Sequence, residues 1–422
     1  MDICIIGGGI TGLTAALRLM QNGHAITIYE QSNTLGGLLS SYTIENNNKQ
    51  YTVERLYHHI FSTDTALLSL LSELNLTQTL EWFSGSTGYY VDSIIYPLTT
   101  PLEILKYPHL TFIDKIRLGI FTLSIKKHNI NELDTVTAEF FIRKELGDRL
   151  YTSFFEPLLR SKFGSNLKEI SAAWLVSRVA IRSDRGVSGE RLGYLEHGFS
   201  RFVAALTAEL EKKTTLLLNA PVTKIEQDAN GWKVNGAQYD IVISTIPPSV
   251  ITALGGPASE PVSYQCSVCV TLALPRDVLH GIYWINVAGE APFGAVIGHT
   301  NFAPYDWYNE HLVYLAAYAP KPPAPEFANE MIDAFCRLLS VKQSEILWHK
   351  LAIEPYAGPL YTIGYQKHIR NKNFAPGFFE AGMFSAENYP ERSLNGSVMA
   401  GEAVAREVMQ ETANVKGAIQ PE

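Results

Sequence analysis

The sequence predicts an α/β protein in which a nucleotide-binding parallel sheet is assembled from separate stretches of chain, with an α+β domain inserted between them. Three observations carry this. A strand, a glycine turn, a helix, a second strand and an acid follow one another within residues 4–30. Apolar strand-like runs return at 215–218, 241–246 and 377–380. Between these lie stretches of different texture, helix-patterned over 85–192 and sheet-patterned over 261–355. The expected division is therefore 1–84, 193–260 and 356–422 for the nucleotide domain, and 85–192 with 261–355 for an inserted second domain.

The first element is the apolar run Cys4-Ile5-Ile6, followed by Gly7-Gly8-Gly9-Ile10-Thr11-Gly12. Residues 13–20 then carry apolar side chains at helical spacing, Gly23 stops the helix, and Ala25-Ile26-Thr27-Ile28-Tyr29 forms a second strand that ends at Glu30. This is a Rossmann-type dinucleotide-binding βαβ unit. Gly7 permits the tight turn, Gly9 lets backbone approach a pyrophosphate, and Gly12 lets helix and strand pack closely. The helix start at Ile10 and Thr11 offers free N–H groups and a partial positive charge to phosphate. Glu30, with Gln31 beside it, is placed to accept from a ribose 2′-hydroxyl. Glycine serves turns of every kind; here the strand before, the helix after and the spaced acid favour the nucleotide site over a packing turn.

Past Glu30 the sequence reads Gln31-Ser32-Asn33-Thr34-Leu35-Gly36-Gly37-Leu38. With this second glycine pair the chain resembles the large FAD family that includes amine oxidases, protoporphyrinogen oxidase, phytoene desaturases and UDP-galactopyranose mutase. The resemblance implies FAD as cofactor and a Rossmann-type FAD-binding domain (parallel sheet plus β-meander) with an inserted α+β substrate domain. Many relatives place an Arg after the glycine pair. Leu38 stands there instead, so backbone or Ser40 must take over a pyrophosphate contact.

Bulk properties narrow the class. The chain has 422 residues, 46% apolar and 18% charged, which suits two globular domains. A formal net charge of −8 argues against nucleic acid and against strong attraction to an anionic surface. The first strand begins beside Met1, so no signal peptide is expected, and no apolar run is long enough to span a bilayer. Four cysteines without framework spacing suggest reduced thiols in a cytoplasmic protein, and no metal site is expected. No internal repeat stands out.

Along the chain, Arg55-Leu56-Tyr57-His58-His59-Ile60-Phe61 packs polar and ring-bearing residues between a strand and a helix that Asp64 is placed to cap. A solvated surface loop is the alternative reading. The stretch looks like the Pro-His-Ile-Phe segment of UDP-galactopyranose mutase, which would set His59 against the flavin ring, where a neutral histidine stacks or shuttles a proton. Arg55, Tyr57, His58 and His59 are the catalytic candidates. Residues 104–127 alternate apolar side chains with Lys106, Lys115, Arg117, Lys126 and Lys127. A membrane-surface helix is one reading; with an acidic net charge, a core helix with snorkelling lysines is the expected one.

The run 177–191 holds Arg178, Arg182, Arg185 and Arg191 with Gly186 and Gly189, and reads either as a solvated loop or as a lid that grips an anionic substrate; Arg182 and Arg185 are the candidates. After Gly193-Tyr194-Leu195-Glu196-His197-Gly198 a helix is expected over 201–212, and then a strand. The resemblance gives the backbone of Val222 to adenine. It also aligns Ile243-Ser244-Thr245-Ile246-Pro247 with a strand ending close to the FAD, which makes Thr245 and Pro247 candidates. Asn230-Gly231 marks a hairpin. Cys266 and Cys269, three apart on a strand, should face opposite ways and form no redox pair. Tyr283, Trp284, Trp307 and Tyr308 read as core aromatics rather than a substrate cage.

Near the C-terminus, Tyr389 is a possible site wall. A helix is expected over 393–409, its start carrying Asn395, Gly396, Ser397 and Val398. In the resembling family that helix points at the flavin's pyrimidine end, where free N–H groups stabilise negative charge.

The chemistry implied is an FAD-dependent oxidoreductase of the protoporphyrinogen-oxidase or amine-oxidase type. It would take a hydride from a small organic substrate onto flavin N5 and pass electrons to oxygen or another acceptor. The alternatives are a mutase-like isomerase of a nucleotide sugar that uses reduced flavin, and a flavin-binding protein without catalysis.

Overall fold

The computed structural model describes residues 1–46, 49–182, 190–258, 261–369 and 373–418. Strand β1 (Asp2–Ile6) is buried beyond its first residue, which is why it reads as an unbroken apolar run. Helix α1 (Ile10–Gln21) carries the chain across to strand β2 (Ala25–Tyr29), parallel to β1 with Ile3 opposite Ile26. The sheet has six strands in the order Thr214–Leu217, β2, β1, Ile241–Ser244, Phe378–Glu380, Asn373–Ala375; all neighbours are parallel except the last pair. An antiparallel meander of three strands, Ile225–Asp228, Gly231–Val234 and Ala237–Tyr239, buries Trp232 and Val234 against Cys4, Ile6 and Phe378 on one face. Helices α1, Ser200–Leu210 and Leu394–Ala418 cover the other. This is the parallel sheet with β-meander that the sequence predicts.

The second large sheet has seven strands, in the order Trp348–Pro359, Tyr264–Leu274, His311–Ala319, Ala295–Gly298, Trp284–Val287, Thr87–Val91, Ile94–Pro97. Its two halves come from either side of the central part of the chain and join where Trp284–Val287 runs parallel to Thr87–Val91. On Tyr264–Leu274, Cys269 packs into the core shared with the parallel sheet. Cys266 packs on the opposite face, under helix Phe327–Leu339. The two side chains thus face opposite ways, as their spacing implies, and all four cysteines are free thiols.

Helix α2 (Thr65–Glu73) begins at Asp64, whose carboxylate turns back to accept from the Phe61 N–H at 2.8 Å and so does not cap the helix side chain to backbone. The Leu67 N–H in the first turn of α2 is taken instead by Asn395 Oδ1 at 3.0 Å. Helices α3 (Pro101–Lys106) and α4 (Phe112–Ser124) both open with capping boxes, Thr100 with Glu103 and Thr111 with Asp114. Their packing corrects the expectation of a core helix over 104–127. Only Asp114 and Phe121 of α4 are buried, and its apolar side chains on the opposite stripe are exposed because no described element covers them. No helix among the described residues is long and apolar enough to cross a membrane.

Candidate functional site

The glycine turn after β1 is built for close approach. Gly7 has φ +107°, and a Cβ there would stand 2.5 Å from Thr245 Oγ1; one on Gly12 would stand 2.1 Å from the Gly7 carbonyl oxygen. Only glycine satisfies both places. The second glycine pair lies directly against the first turn: the Gly36 N–H donates to the Gly8 carbonyl at 2.8 Å, and Gly9 bridges Gly36. Gly36 and Gly37 both adopt left-handed conformations, with φ +107° and +56°. Glu30 is buried at the end of β2, where its Oε2 accepts from the Gly8 N–H and its Oε1 from the Ser32 N–H, both at 2.8 Å.

These loops form one end of a cavity of about 1340 Å³. Gly7, Gly9, Ile10, Thr11, Glu30 and Gln31 line it, as do Gly36, Gly37, Leu38, Ser40, Thr245, Pro247 and Ser397. The Thr245 hydroxyl donates to the Ile6 carbonyl at 3.0 Å and the Thr11 hydroxyl to the Ser397 carbonyl at 3.1 Å, which ties the sheet end and the C-terminal helix to the turn. Gly12 serves the packing beneath.

Arg55, Tyr57, His58 and His59 line the same cavity further along. Arg55 pairs with Glu354 at 2.8 Å. The Tyr57 hydroxyl meets the Tyr318 hydroxyl at 3.1 Å, its ring sits edge-on to Trp284, and burial raises its pKa well above the ordinary value, so the phenol stays protonated. Burial pushes His58 down to about 4, so it is neutral near pH 7. Its Nδ1 lies 2.8 Å from the Leu56 carbonyl, which only accepts. Nδ1 therefore carries the proton, and Nε2 presents a lone pair. His59 Nδ1 lies 3.1 Å from the Tyr283 hydroxyl, and its ring is edge-on to Phe61. Trp284 is buried in the core cluster, as expected, and also lines the cavity, while Tyr308 and the partly buried Trp307 pack in the same cluster.

Several candidates fall elsewhere. The Tyr389 hydroxyl donates to Asp134 at 2.6 Å and its ring stacks on Tyr365, away from the cavity wall. Asn395 caps α2, Gly396 packs where a Cβ would reach Asn388, and Val398 is wholly buried; of that helix start Ser393, Leu394 and Ser397 line the cavity. Val222 is not among the lining residues, although its segment is held beside β2 by the Ala220 N–H donating to the Glu30 carbonyl at 2.9 Å. Arg185 and the side chain of Arg182 lie outside the described residues.

A cation cluster stands in the cavity that the sequence did not single out. Glu391 pairs with Arg178 at 3.1 Å and with Lys162 at 3.9 Å, and Lys162 lies 4.5 Å from the Trp174 ring centroid. Burial alone would raise the Glu391 carboxyl, but Lys162, Arg178 and Arg392 pull it below its ordinary value. Arg392 lines the cavity with no hydrogen-bond or ion-pair partner among the described residues, its guanidinium packed over Gly358. The signal available was the pair Glu391-Arg392 just ahead of the small-residue helix start.

The model for the family "Flavin containing amine oxidoreductase" matches residues 10–409. The chain belongs to that family. Amine oxidase [flavin-containing] A of Sus scrofa is 25% identical over 270 residues, 59% of this chain and 50% of that protein. The chain spans half or less of the length of the first curated relatives it matches. In fold it is similar to a putative protoporphyrinogen oxidase from Exiguobacterium sp. 255-15, at TM-score 0.76 and 18% identity over 97% of this chain and 99% of that one. It is similar also to reduced UDP-galactopyranose mutase, at TM-score 0.75 and 19% identity over 97% and 95%. FAD is the family's typical cofactor, and the residues present fit it. Two glycine loops lie together with positions where any Cβ would collide, and a buried acid faces them at the end of β2.

Proposed function

We propose that this amine-oxidoreductase-family chain is an FAD-dependent oxidoreductase whose substrate joins an apolar body to an anionic group. One observation carries the reading: the cavity that starts at the glycine loops continues past His58 and His59 to three cations, Lys162 and Arg178, which pair with Glu391, and Arg392 beside them. Gly7, Gly9, Gly36 and Gly37 with the N–H groups of Ile10 and Thr11 hold the pyrophosphate, Glu30 the ribose, and the Val222 segment the adenine. FAD held there would supply a two-electron acceptor for the substrate's oxidation. Tyr57, His59 and Trp284 shape the wall over the reacting carbon, and the Nε2 of His58 accepts a hydrogen bond or a proton from the substrate. Arg392, with Arg178, fixes the anionic end. A cationic amine would meet a surplus of positive charge in the same place, so the cluster disfavours amines.

The same cations would suit a nucleotide-sugar diphosphate, and that observation keeps the mutase-like reading in play. Anaerobic mixing of the oxidised holoprotein with apolar carboxylates, organic phosphates and amines separates the readings. The expected result is bleaching by an anionic substrate, with Arg392→Met raising its KM roughly tenfold, the value of one charge-assisted hydrogen bond, at an unchanged flavin spectrum. Turnover of nucleotide sugars only after dithionite reduction would establish the isomerase instead. Bleaching by amines alone would overturn the anionic class, and FAD bound without any turnover would leave a binding protein.

A further inference from the structure

The least expected surface of the molecule is formed by α3 and α4. Leu102 and Leu105 on α3 are 61% and 52% exposed, and on α4 the exposures are Phe112 69%, Ile113 61%, Ile116 46%, Ile120 62% and Leu123 86%. Ile113, Ile116, Ile120 and Leu123 follow helical spacing, so they form one stripe, opposite the buried Asp114 and Phe121. Lys115 Nζ donates to the Leu105 carbonyl at 2.6 Å, which binds the two helices side by side and makes the stripe and the α3 leucines one patch. Seven large apolar side chains presented to water on two short helices is a density that monomeric soluble proteins avoid, and it marks a contact surface.

Charge and position say what covers it. Lys106, Lys115, Arg117, Lys126 and Lys127 stand along residues 101–127, against only Glu103 and Asp114. Both acids are engaged as helix caps, Glu103 by the N–H groups of Thr99 and Thr100 and Asp114 by Thr111, so a basic patch stands out on a chain whose net charge is −8. A basic rim around an apolar stripe on a short helix matches an anionic bilayer interface, with the apolar side chains among the acyl chains and the lysines at the headgroups. A second copy paired through the same face would set one basic rim against the other. The patch is also the lip of the cavity: Leu105, Gly119 and Leu123 are exposed and line it, and Leu110, Leu118 and Phe121 continue its wall inward.

We propose that the α3–α4 face docks on the surface of an anionic phospholipid bilayer, without spanning it, and that the cavity thereby opens towards the lipid. The mouth then faces the phase in which an apolar substrate is dissolved. The docking claim stands apart from the redox reading, because it concerns the surface and not the chemistry.

The test is co-sedimentation of the full chain with phosphatidylcholine vesicles, with and without phosphatidylglycerol. Binding is expected to the phosphatidylglycerol vesicles, weakening as salt rises. The double variant Ile120→Glu with Leu123→Glu should bind roughly tenfold less or not at all. Both side chains are exposed, so folding should survive, which far-ultraviolet circular dichroism checks. A second pair, Lys106→Glu with Lys127→Glu, leaves the apolar stripe intact and should lose the preference for phosphatidylglycerol. The proposal is overturned if the natural chain stays in the supernatant with both vesicle types, or if the Ile120/Leu123 variant binds as well as the natural chain. It is equally overturned if sedimentation velocity shows a dimer that this variant abolishes while no vesicle binding occurs, since the face would then pair two copies.

Discussion

Glu54 shows how a single side chain sets the geometry of the loop that carries the catalytic candidates. It is 1% exposed, and its carboxylate accepts from the Tyr194 hydroxyl at 2.5 Å and the Phe199 N–H at 2.6 Å, while its own carbonyl accepts from the Tyr314 hydroxyl at 3.0 Å. One residue past it, Arg55 begins the run to His59. Burial raises the Glu54 carboxyl, and the two donors pull it back. Glu54→Ala would leave the Tyr194 hydroxyl and the Phe199 N–H buried without an acceptor, a loss of about 3 kcal/mol, read as a lower urea midpoint at unchanged slope. His58 supplies a pH dependence. Its proton leaves at about 4 in the folded chain and at the ordinary histidine value of 6.5 in the unfolded one. Between those values the unfolded chain binds the proton and the folded chain does not, so stability is full above 6.5 and falls as pH drops towards 4. The loss from this residue is about 3 kcal/mol over that window. His58→Gln removes the titration and keeps a donor for the Leu56 carbonyl. Between neutral pH and the lower end of the window the natural chain should lose about 3 kcal/mol of unfolding free energy relative to His58→Gln; parallel curves would exclude His58 as the source.

At the scale of elements, helix ends prove more informative than helix bodies. Asn395 belongs to the small-residue start of the C-terminal helix, yet its side chain caps α2 across the interface at 3.0 Å. Asn395→Ala should therefore cost about 1 kcal/mol in thermal or chemical unfolding and leave flavin content unchanged. Loss of flavin at full stability would show instead that Asn395 faces the cofactor. Helix α4 exposes the limit of periodicity. Its sequence carries two apolar stripes, Leu118 and Phe121 inward and Ile113, Ile116, Ile120 and Leu123 outward. A hydrophobic pattern states that a stripe will leave water but not whether protein is there to receive it. The capping boxes of α3 and α4, in contrast, are local, since Thr and the acid three residues on satisfy one another within a single turn.

Across the whole molecule, what was legible follows the distance over which the determining contacts act. The glycine turn, Glu30 and the second glycine pair are readable because each requirement, a positive φ or a forbidden Cβ, is written within a few residues, and the two loops meet as the spacing implies. The cluster of Lys162, Arg178, Glu391 and Arg392 is not, because residues from three distant parts of the chain come together only when the helices of the central segment pack against the end of the C-terminal strand region. The same holds for Tyr389, whose ring is claimed by Tyr365 and Asp134. The cavity ends that a nucleotide would touch come from residues 7–11, 30–38, 245–247 and 397, so the ligand stitches segments that the chain order separates. A ligand that binds only the folded chain stabilises it by RT ln(1 + [L]/Kd), about 2.7 kcal/mol at a hundredfold excess over Kd. Protein stripped of its cofactor should therefore melt at a lower temperature and regain its Tm when FAD is added. NADP should restore nothing, because the buried Glu30 carboxylate repels a 2′-phosphate. Scanning calorimetry of the stripped chain with each nucleotide measures both, and equal recovery with NADP would mean that Glu30 does not face the ribose.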